Sequence, residues 1–176
     1  MITRSFDENK QKLEERYFDV DEKPVLITSG YVLITYEYDD AGNVICEKYY
    51  GVDDESIAIP SGAHMITRTF DEKKQKLSES YFDTKEDPVL IDKGYASIVY
   101  EYDESGNVSS EKYYDADGSS LALAPGYHKI MRIYDDQKRI IDERYFDTNE
   151  APVIIDKGYA GIEKEYDEAG NVTAER

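Results

Sequence analysis

The chain has no tryptophan, one cysteine, two histidines and five prolines, and its basic residues are outnumbered. Each scarcity excludes something. A single cysteine, Cys46, can form neither an intrachain disulfide nor a thiolate cluster for a metal. His64 and His128 have no neighbouring nucleophile and no third ligand in sequence, so neither a triad nor a metal site is read from them. Lys and Arg number 21 against 39 Asp and Glu, a formal net charge of −18. That balance argues against nucleic acid and anionic membrane surfaces, which require basic patches. No apolar run approaches the ~18 residues of a membrane-spanning helix, and no signal-peptide pattern opens the chain. High charge of one sign is also a mark of disorder. Here, however, the aromatic and β-branched residues are strictly periodic rather than sparse.

The period is set by an aromatic–Asp pair. Phe6-Asp7, Tyr38-Asp39, Phe70-Asp71, Tyr102-Asp103, Tyr134-Asp135 and Tyr166-Asp167 follow one another at 32 residues (38 − 6 = 32). The doublets Tyr17-Phe18, Tyr49-Tyr50, Tyr81-Phe82, Tyr113-Tyr114 and Tyr145-Phe146 keep the same interval, as do Gly30, Gly62, Gly94, Gly126 and Gly158. Every one of the 17 Tyr and 5 Phe falls on one of five offsets of this period. Such a period denotes a tandem array. The units are 6–37, 38–69, 70–101, 102–133 and 134–165, with a partial sixth at 166–176, and 1–176 reads as one array cut from a longer protein. A second period of 64 lies over the first (88 − 24 = 64): Pro24, Pro88 and Pro152 in odd units alternate with Ser56 and Ser120 in even ones, and His64 and His128 mark the even units.

Within a unit the pattern predicts a β-hairpin. Tyr100-Glu101-Tyr102 alternates as a strand, Asp103-Glu104-Ser105-Gly106-Asn107 is a turn, and Val108 to Tyr114 is the return strand. Asp to open, Gly in the left-handed position and Asn next suit a type I turn with a G1 bulge. Odd units place Lys10, Lys74 or Lys138 where Gly42, Gly106 and Gly170 stand, so the even hairpins are expected to be the better formed. Pro24-Val25-Leu26-Ile27 and its equivalents are expected to add a short strand, followed by a turn at Gly30 and a strand from Tyr31 to Tyr38. The helix-friendly segment 9–16 shares its register with the strand-like 44–48 and is therefore also assigned to strand. One unit holds too few apolar side chains to offset the cost of ordering it, so neighbours must bury each other's rings. The expected fold is all-β, an elongated solenoid-like stack of 32-residue hairpin units. Exposed faces are expected to carry Glu15, Glu47, Glu79, Glu111 and Glu143, with Arg16, Lys48, Lys112 and Arg144 on the opposite side.

At Tyr-Asp-Glu-Xaa-Gly-Asn-Val (102–108 and 166–172, and 38–44 with Asp at the third place) the chain resembles the tyrosine–aspartate, or RHS-type, repeats of bacterial surface and secreted proteins. Tyr-Tyr-Asp-Ala-Asp-Gly at 113–118 and the Tyr-Phe-Asp triplets also resemble, more distantly, choline- and glucan-binding cell-wall repeats. These resemblances imply an extracytoplasmic bacterial hairpin array that serves as a stalk, spacer or binding surface.

The candidate chemistry is sparse. The Asp after each aromatic reads as a turn cap. Asp115-Ala116-Asp117-Gly118-Ser119 resembles the start of a calcium loop, but Gly126 stands where the last ligand would fall. No metal, cofactor or catalytic set is assigned, and a catalytic domain using carboxylates is the least favoured reading. In each doublet one ring must face each side of its strand. The second rings, Phe18, Tyr50, Phe82, Tyr114 and Phe146, either pack on the next unit or form an exposed platform for a cell-wall glycan or another protein.

Overall fold

The structure, a computed structural model, describes residues 1–176 and is all-β. Twelve strands follow one another in sequence order: β1 (Ile2–Phe6), β2 (Lys12–Tyr17), β3 (Leu33–Tyr38), β4 (Val44–Tyr50), β5 (Met65–Phe70), β6 (Lys76–Phe82), β7 (Ser97–Tyr102), β8 (Val108–Tyr114), β9 (Lys129–Tyr134), β10 (Ile140–Phe146), β11 (Gly161–Tyr166) and β12 (Val172–Glu175). Strands β1 to β6 pair antiparallel in that order, and so do β8 to β12. The odd hairpins are β1–β2, β5–β6 and β9–β10, and the even ones are β3–β4, β7–β8 and β11–β12. The chain divides into two compact units, Met1–Ser97 and Ile98–Arg176.

The hairpin tips have the expected turn. In the even hairpin β3–β4, the Gly42 amide donates to the Asp39 carbonyl at 3.0 Å and the Asp39 amide to the Asn43 carbonyl at 3.1 Å. The Asp39 carboxylate accepts from the Asn43 amide and side chain, both at 2.8 Å. The odd tips share this shape: Lys10, Lys74 and Lys138 stand at φ 65°, 63° and 62°, against 83° for Gly42. The lysines therefore hold the left-handed conformation rather than avoiding it, with Asp7, Asp71 and Asp135 capping in the same way. Behind each tip one extra residue bulges from the return strand, seen as a register shift between Glu37 and Tyr38 and its equivalents.

The loops between hairpins differ from expectation. The runs led by Pro24, Ser56, Pro88, Ser120 and Pro152 make one isolated bridge each, to the second ring residue of the doublet, and not a strand. Two tight turns per loop leave too few residues to extend. Asp19 caps one turn, and the next closes with the Gly30 amide on the Ile27 carbonyl at 2.8 Å. The following strand accordingly begins at Leu33 rather than at Tyr31. Each loop folds back on its hairpin: the Val25 amide reaches the Tyr17 carbonyl, and Ile57, Val89, Leu121 and Val153 repeat this on Tyr49, Tyr81, Tyr113 and Tyr145. The loops thus cover the first ring of every doublet. The buried residues of the first unit include Val32, Ile34, Tyr49, Ala63, Ile66, Tyr81 and Tyr95. In the second unit Ile130, Tyr145 and Ile155 pack with Tyr127, Val153 and Tyr159.

Candidate functional site

Strand alternation sends the two rings of each doublet to opposite faces, as the sequence requires. Within each unit the first rings form a ladder with the Tyr of the Gly-Tyr loops. In the first unit the Tyr31 centroid lies 5.9 Å from Tyr17 and 5.1 Å from Tyr49, and Tyr81 lies 5.9 Å from Tyr95. In the second, Tyr113, Tyr127, Tyr145 and Tyr159 follow at 6.0, 5.1 and 6.1 Å. Tilted and edge-on contacts at these distances are the favoured aromatic geometry. The row is interrupted where Ala63 replaces a Tyr, and that alanine is fully buried.

The second rings, Phe18, Tyr50, Phe82, Tyr114 and Phe146, are all half-buried on the opposite face. Tyr50 meets the edge of His64 at 5.4 Å, Tyr114 meets His128 at 5.3 Å, and the Lys129 ammonium lies 5.4 Å over Phe146. Both histidines are buried. His64 Nδ1 lies 2.7 Å from the Tyr49 carbonyl and 3.3 Å from that of Ile57. Two acceptors assign the proton to Nδ1, which donates to them. His128 has the same backbone bond, its amide on the Phe146 carbonyl at 2.8 Å, but its Nδ1 finds no such acceptor. His64 thus reaches back into its own loop.

The glutamate row overturns an expectation. Glu15, Glu47, Glu79, Glu111 and Glu143 are not a solvated face. They share the ladder's face and are the centre of a network. Each accepts the hydroxyl of the first ring two residues on: Tyr17 on Glu15, Tyr49 on Glu47 at 3.1 Å, Tyr81 on Glu79, Tyr113 on Glu111 at 2.5 Å and Tyr145 on Glu143. Odd hairpins add an arginine directly across the strands. Arg68 donates through Nε to Glu79 at 2.7 Å and reaches back to Glu47 of the preceding hairpin at 2.9 Å. Arg132 repeats this with Glu143 at 2.8 Å and Glu111 at 2.6 Å. Arg4 has Glu15 at 2.5 Å. Lys12 and Lys76 join the odd-hairpin glutamates, at 3.2 Å from Glu15 and 3.0 Å from Glu79. Further along, the Tyr38, Tyr134 and Tyr166 hydroxyls donate to carbonyls of the preceding hairpin, those of Lys12, Val108 and Ile140, at 2.8 to 2.9 Å.

These contacts fix the protonation states. The Tyr17 hydroxyl, helped by Arg4 and Lys12 and opposed by burial, holds the Glu15 carboxyl down at about 2. For Glu79 burial pushes the other way, but the bonds from Tyr81, Arg68 and Lys76 outweigh it and the carboxyl stays below its usual range. The phenols move oppositely. Tyr17 is held above its ordinary value by its bond to Glu15, and Tyr49, Tyr81 and Tyr145 first by burial and then by their glutamates. Neutral phenols donating to ionised, cation-bound carboxylates form a set of satisfied polar groups. The arrangement ties hairpins together and leaves Glu15 and Glu79 poor proton acceptors.

Elsewhere the sequence candidates take structural places. Asp115 and Asp117 cap their own loop, on the amides of Ala116 at 2.6 Å and Ser119 at 2.9 Å. No three His, Cys, Asp or Glu side chains converge as a metal cage. Cys46 is buried, which pushes its thiol up, and it lines an open groove of about 560 Å³ with Glu37, Lys48, Met65, Thr67 and Thr69.

The MORN repeat variant family matches residues 98–116, one even hairpin and the first residues of its loop. No curated protein matches the chain. Two solved structures are similar to the chain: a TcdB2–TccC3–Cdc42 complex, at 14% identity and a TM-score of 0.40, and a Tc holotoxin pore of Photorhabdus luminescens carrying a TccC3 mutation, at 14% identity and a TM-score of 0.41. In each case the match covers 99% of this chain, and the chain spans 9% of the other's length.

Proposed function

We propose that the chain is a non-enzymatic hairpin-repeat module of a secreted or surface-exposed bacterial protein, acting as a structural spacer or as a surface that binds another protein or a cell-wall glycan. One observation carries the reading. The side chains best suited to chemistry on the ladder's face recur from one odd hairpin to the next in the same use, holding neighbours together, as in Arg68 on Glu47 and Glu79 and Arg132 on Glu111 and Glu143. A catalytic site needs one place unlike the rest, with a carboxylate free to take a proton, whereas Glu15 is held at about 2 by its neighbours. The resemblance to tyrosine–aspartate repeats supports the extracytoplasmic setting. For a glycan the contact surface is the second-ring set, Phe18, Tyr50, Phe82, Tyr114 and Phe146, half-buried and away from the ladder. The test is incubation with glycan arrays and isolated cell walls, read for binding and for released sugar. Saturable binding lost in Tyr50→Ala and Tyr114→Ala assigns the glycan surface, and absence of binding leaves the spacer role. Sugar release abolished by Glu79→Gln or Glu143→Gln would overturn the non-enzymatic reading.

A further inference from the structure

We propose that the loops of the first compact unit dock a cationic amphipathic segment of another protein, with Leu26 and Leu90 as the apolar anchors. The proposal rests on the reading of the chain as a surface that binds a protein, and it names the chemistry of that partner. The loops 19–31, 51–63 and 83–95 lie against one another. A Cβ on Gly30 would stand 3.0 Å from the Pro60 side chain, and one on Gly62 would stand 3.7 Å from the Leu90 carbonyl oxygen. The Asp92 amide donates to the Ser61 carbonyl at 2.9 Å. Glycine permits so close an approach. Ile27 and Ile59 are half-buried and Ile91 is buried, whereas the residues before them, Leu26, Ala58 and Leu90, are exposed. Leu26 is 54% exposed and Leu90 44%.

The fold itself does not require a leucine at either place, since the even loop between them does with Ala58. Odd loops nevertheless supply a large aliphatic at this offset each time, Leu26, Leu90 and Ile154, and even loops an alanine, Ala58 and Ala122. An exposed apolar set with a polar rim marks an interaction site. The rim sets the sign of the partner. The three loops hold ten Asp and Glu against three Lys and no Arg, a net −7 (3 − 10 = −7). Arg16 and Lys48 reach from the strands to Asp54 and Glu86 at 2.6 and 2.5 Å, while Glu22, Asp53, Asp87 and Asp92 stay exposed without a cation. A second copy of this chain brings a charge of −18 to the same surface and is repelled, as is an anionic membrane. A segment with Lys or Arg along one side and aliphatic residues along the other meets both the leucines and the rim. The second unit has Ile154 and Ala122 but no second large aliphatic at this offset, so one full site per chain is expected.

Isothermal titration of the full chain with three synthetic peptides of equal length tests the proposal. One carries Lys and Leu in amphipathic register, one Lys and Ser in the same register, and one Glu and Leu. The Lys–Leu peptide should bind saturably, one per chain and about tenfold or more tighter than the Lys–Ser peptide, and the Glu–Leu peptide should not bind. Raising salt from about 0.05 to about 0.5 M should weaken the binding severalfold as the Debye length shrinks. Leu26→Ser combined with Leu90→Ser should weaken it roughly tenfold, with circular dichroism matching the parent because both side chains are exposed. Glu8→Gln with Glu72→Gln, which removes exposed acids from the hairpin tips instead, should leave the affinity unchanged. No binding, equal binding of the Lys–Ser peptide, or parent affinity in the double leucine variant would overturn the docking surface and leave the spacer role standing. Failure of the non-enzymatic reading shows separately, as released sugar.

Discussion

Odd and even hairpins share a backbone and differ in chemistry. At the position opposite the central glutamate, odd hairpins place Arg4, Arg68 and Arg132, and the even hairpin β3–β4 places Tyr36. The odd solution is an ion pair that reaches across the junction to the preceding hairpin. The even solution is a ring covered by a cation, with the Lys12 ammonium 4.5 Å over Tyr36. The loops alternate too. After odd hairpins Pro24 and its equivalents form the bridge and the buried site holds the small Val32 or Ala96, whereas after even hairpins His64 or His128 fills that site. The comparison teaches that backbone geometry repeats every 32 residues but polar satisfaction is solved over a pair, so a residue's role depends on the parity of its unit.

Breaking the odd solution should have the largest effect. Arg68→Ala leaves two mostly buried carboxylates without their shared cation. It should cost about 3 kcal/mol in urea unfolding, near the lower end for removing one partner of a buried pair. Arg4→Ala, with one glutamate and greater exposure, should cost about 1 kcal/mol or less. Equal losses would show that the junction bond adds nothing.

Acid should strike the same network. Glu15 is held at about 2 in the folded chain against an ordinary 4.5, so its contribution is complete above pH 4.5 and is lost as pH falls through about 2. Glu79 is lowered as well and adds in the same direction. The raised tyrosines work from the other side: their contribution is complete below the ordinary 10 and is lost above it. Thermal unfolding should therefore hold a plateau between about pH 5 and 9. In Arg68→Ala the acid edge should move upward, and an unmoved edge would remove Arg68 from the cause.

Converting even to odd at the loop is a smaller change. His64→Val installs the residue that odd units use at Val32 but takes the donor from the Tyr49 carbonyl, and should cost about 1–2 kcal/mol. The same exchange at His128, whose Nδ1 makes no such bond, should cost less. The smallest effect is at the tips. Lys74→Gly relieves a side chain at φ 63° and should stabilise by about 0.5–1 kcal/mol, while Gly42→Lys should destabilise by a similar amount. Calorimetry of the two variants compares the tips directly.

Much of this was legible in the sequence. The period placed every hairpin, the Asp-Xaa-Xaa-Gly-Asn pattern specified the turn and its cap, and the doublets required rings on both faces. What was not legible depended on pairing between hairpins. Glu15 and Glu79 look solvated because charge on a strand is usually exposed. Their partners follow from register: Arg4 stands opposite Glu15 and Arg68 opposite Glu79, and Arg68 also reaches Glu47, 21 residues away (68 − 47 = 21). The runs led by Pro24 look like strands by composition, yet two turns confine them to a single bridge. The histidines gave no sign of their partner, because a backbone carbonyl has no signature in a sequence.

The central claim is that charged groups on the ladder's face bind one hairpin to the next. A double-mutant cycle on Glu47→Gln and Arg68→Ala measures that bond across a junction most directly. The account predicts a coupling of about 1 kcal/mol or more, and additivity within about 0.3–0.5 kcal/mol would contradict it.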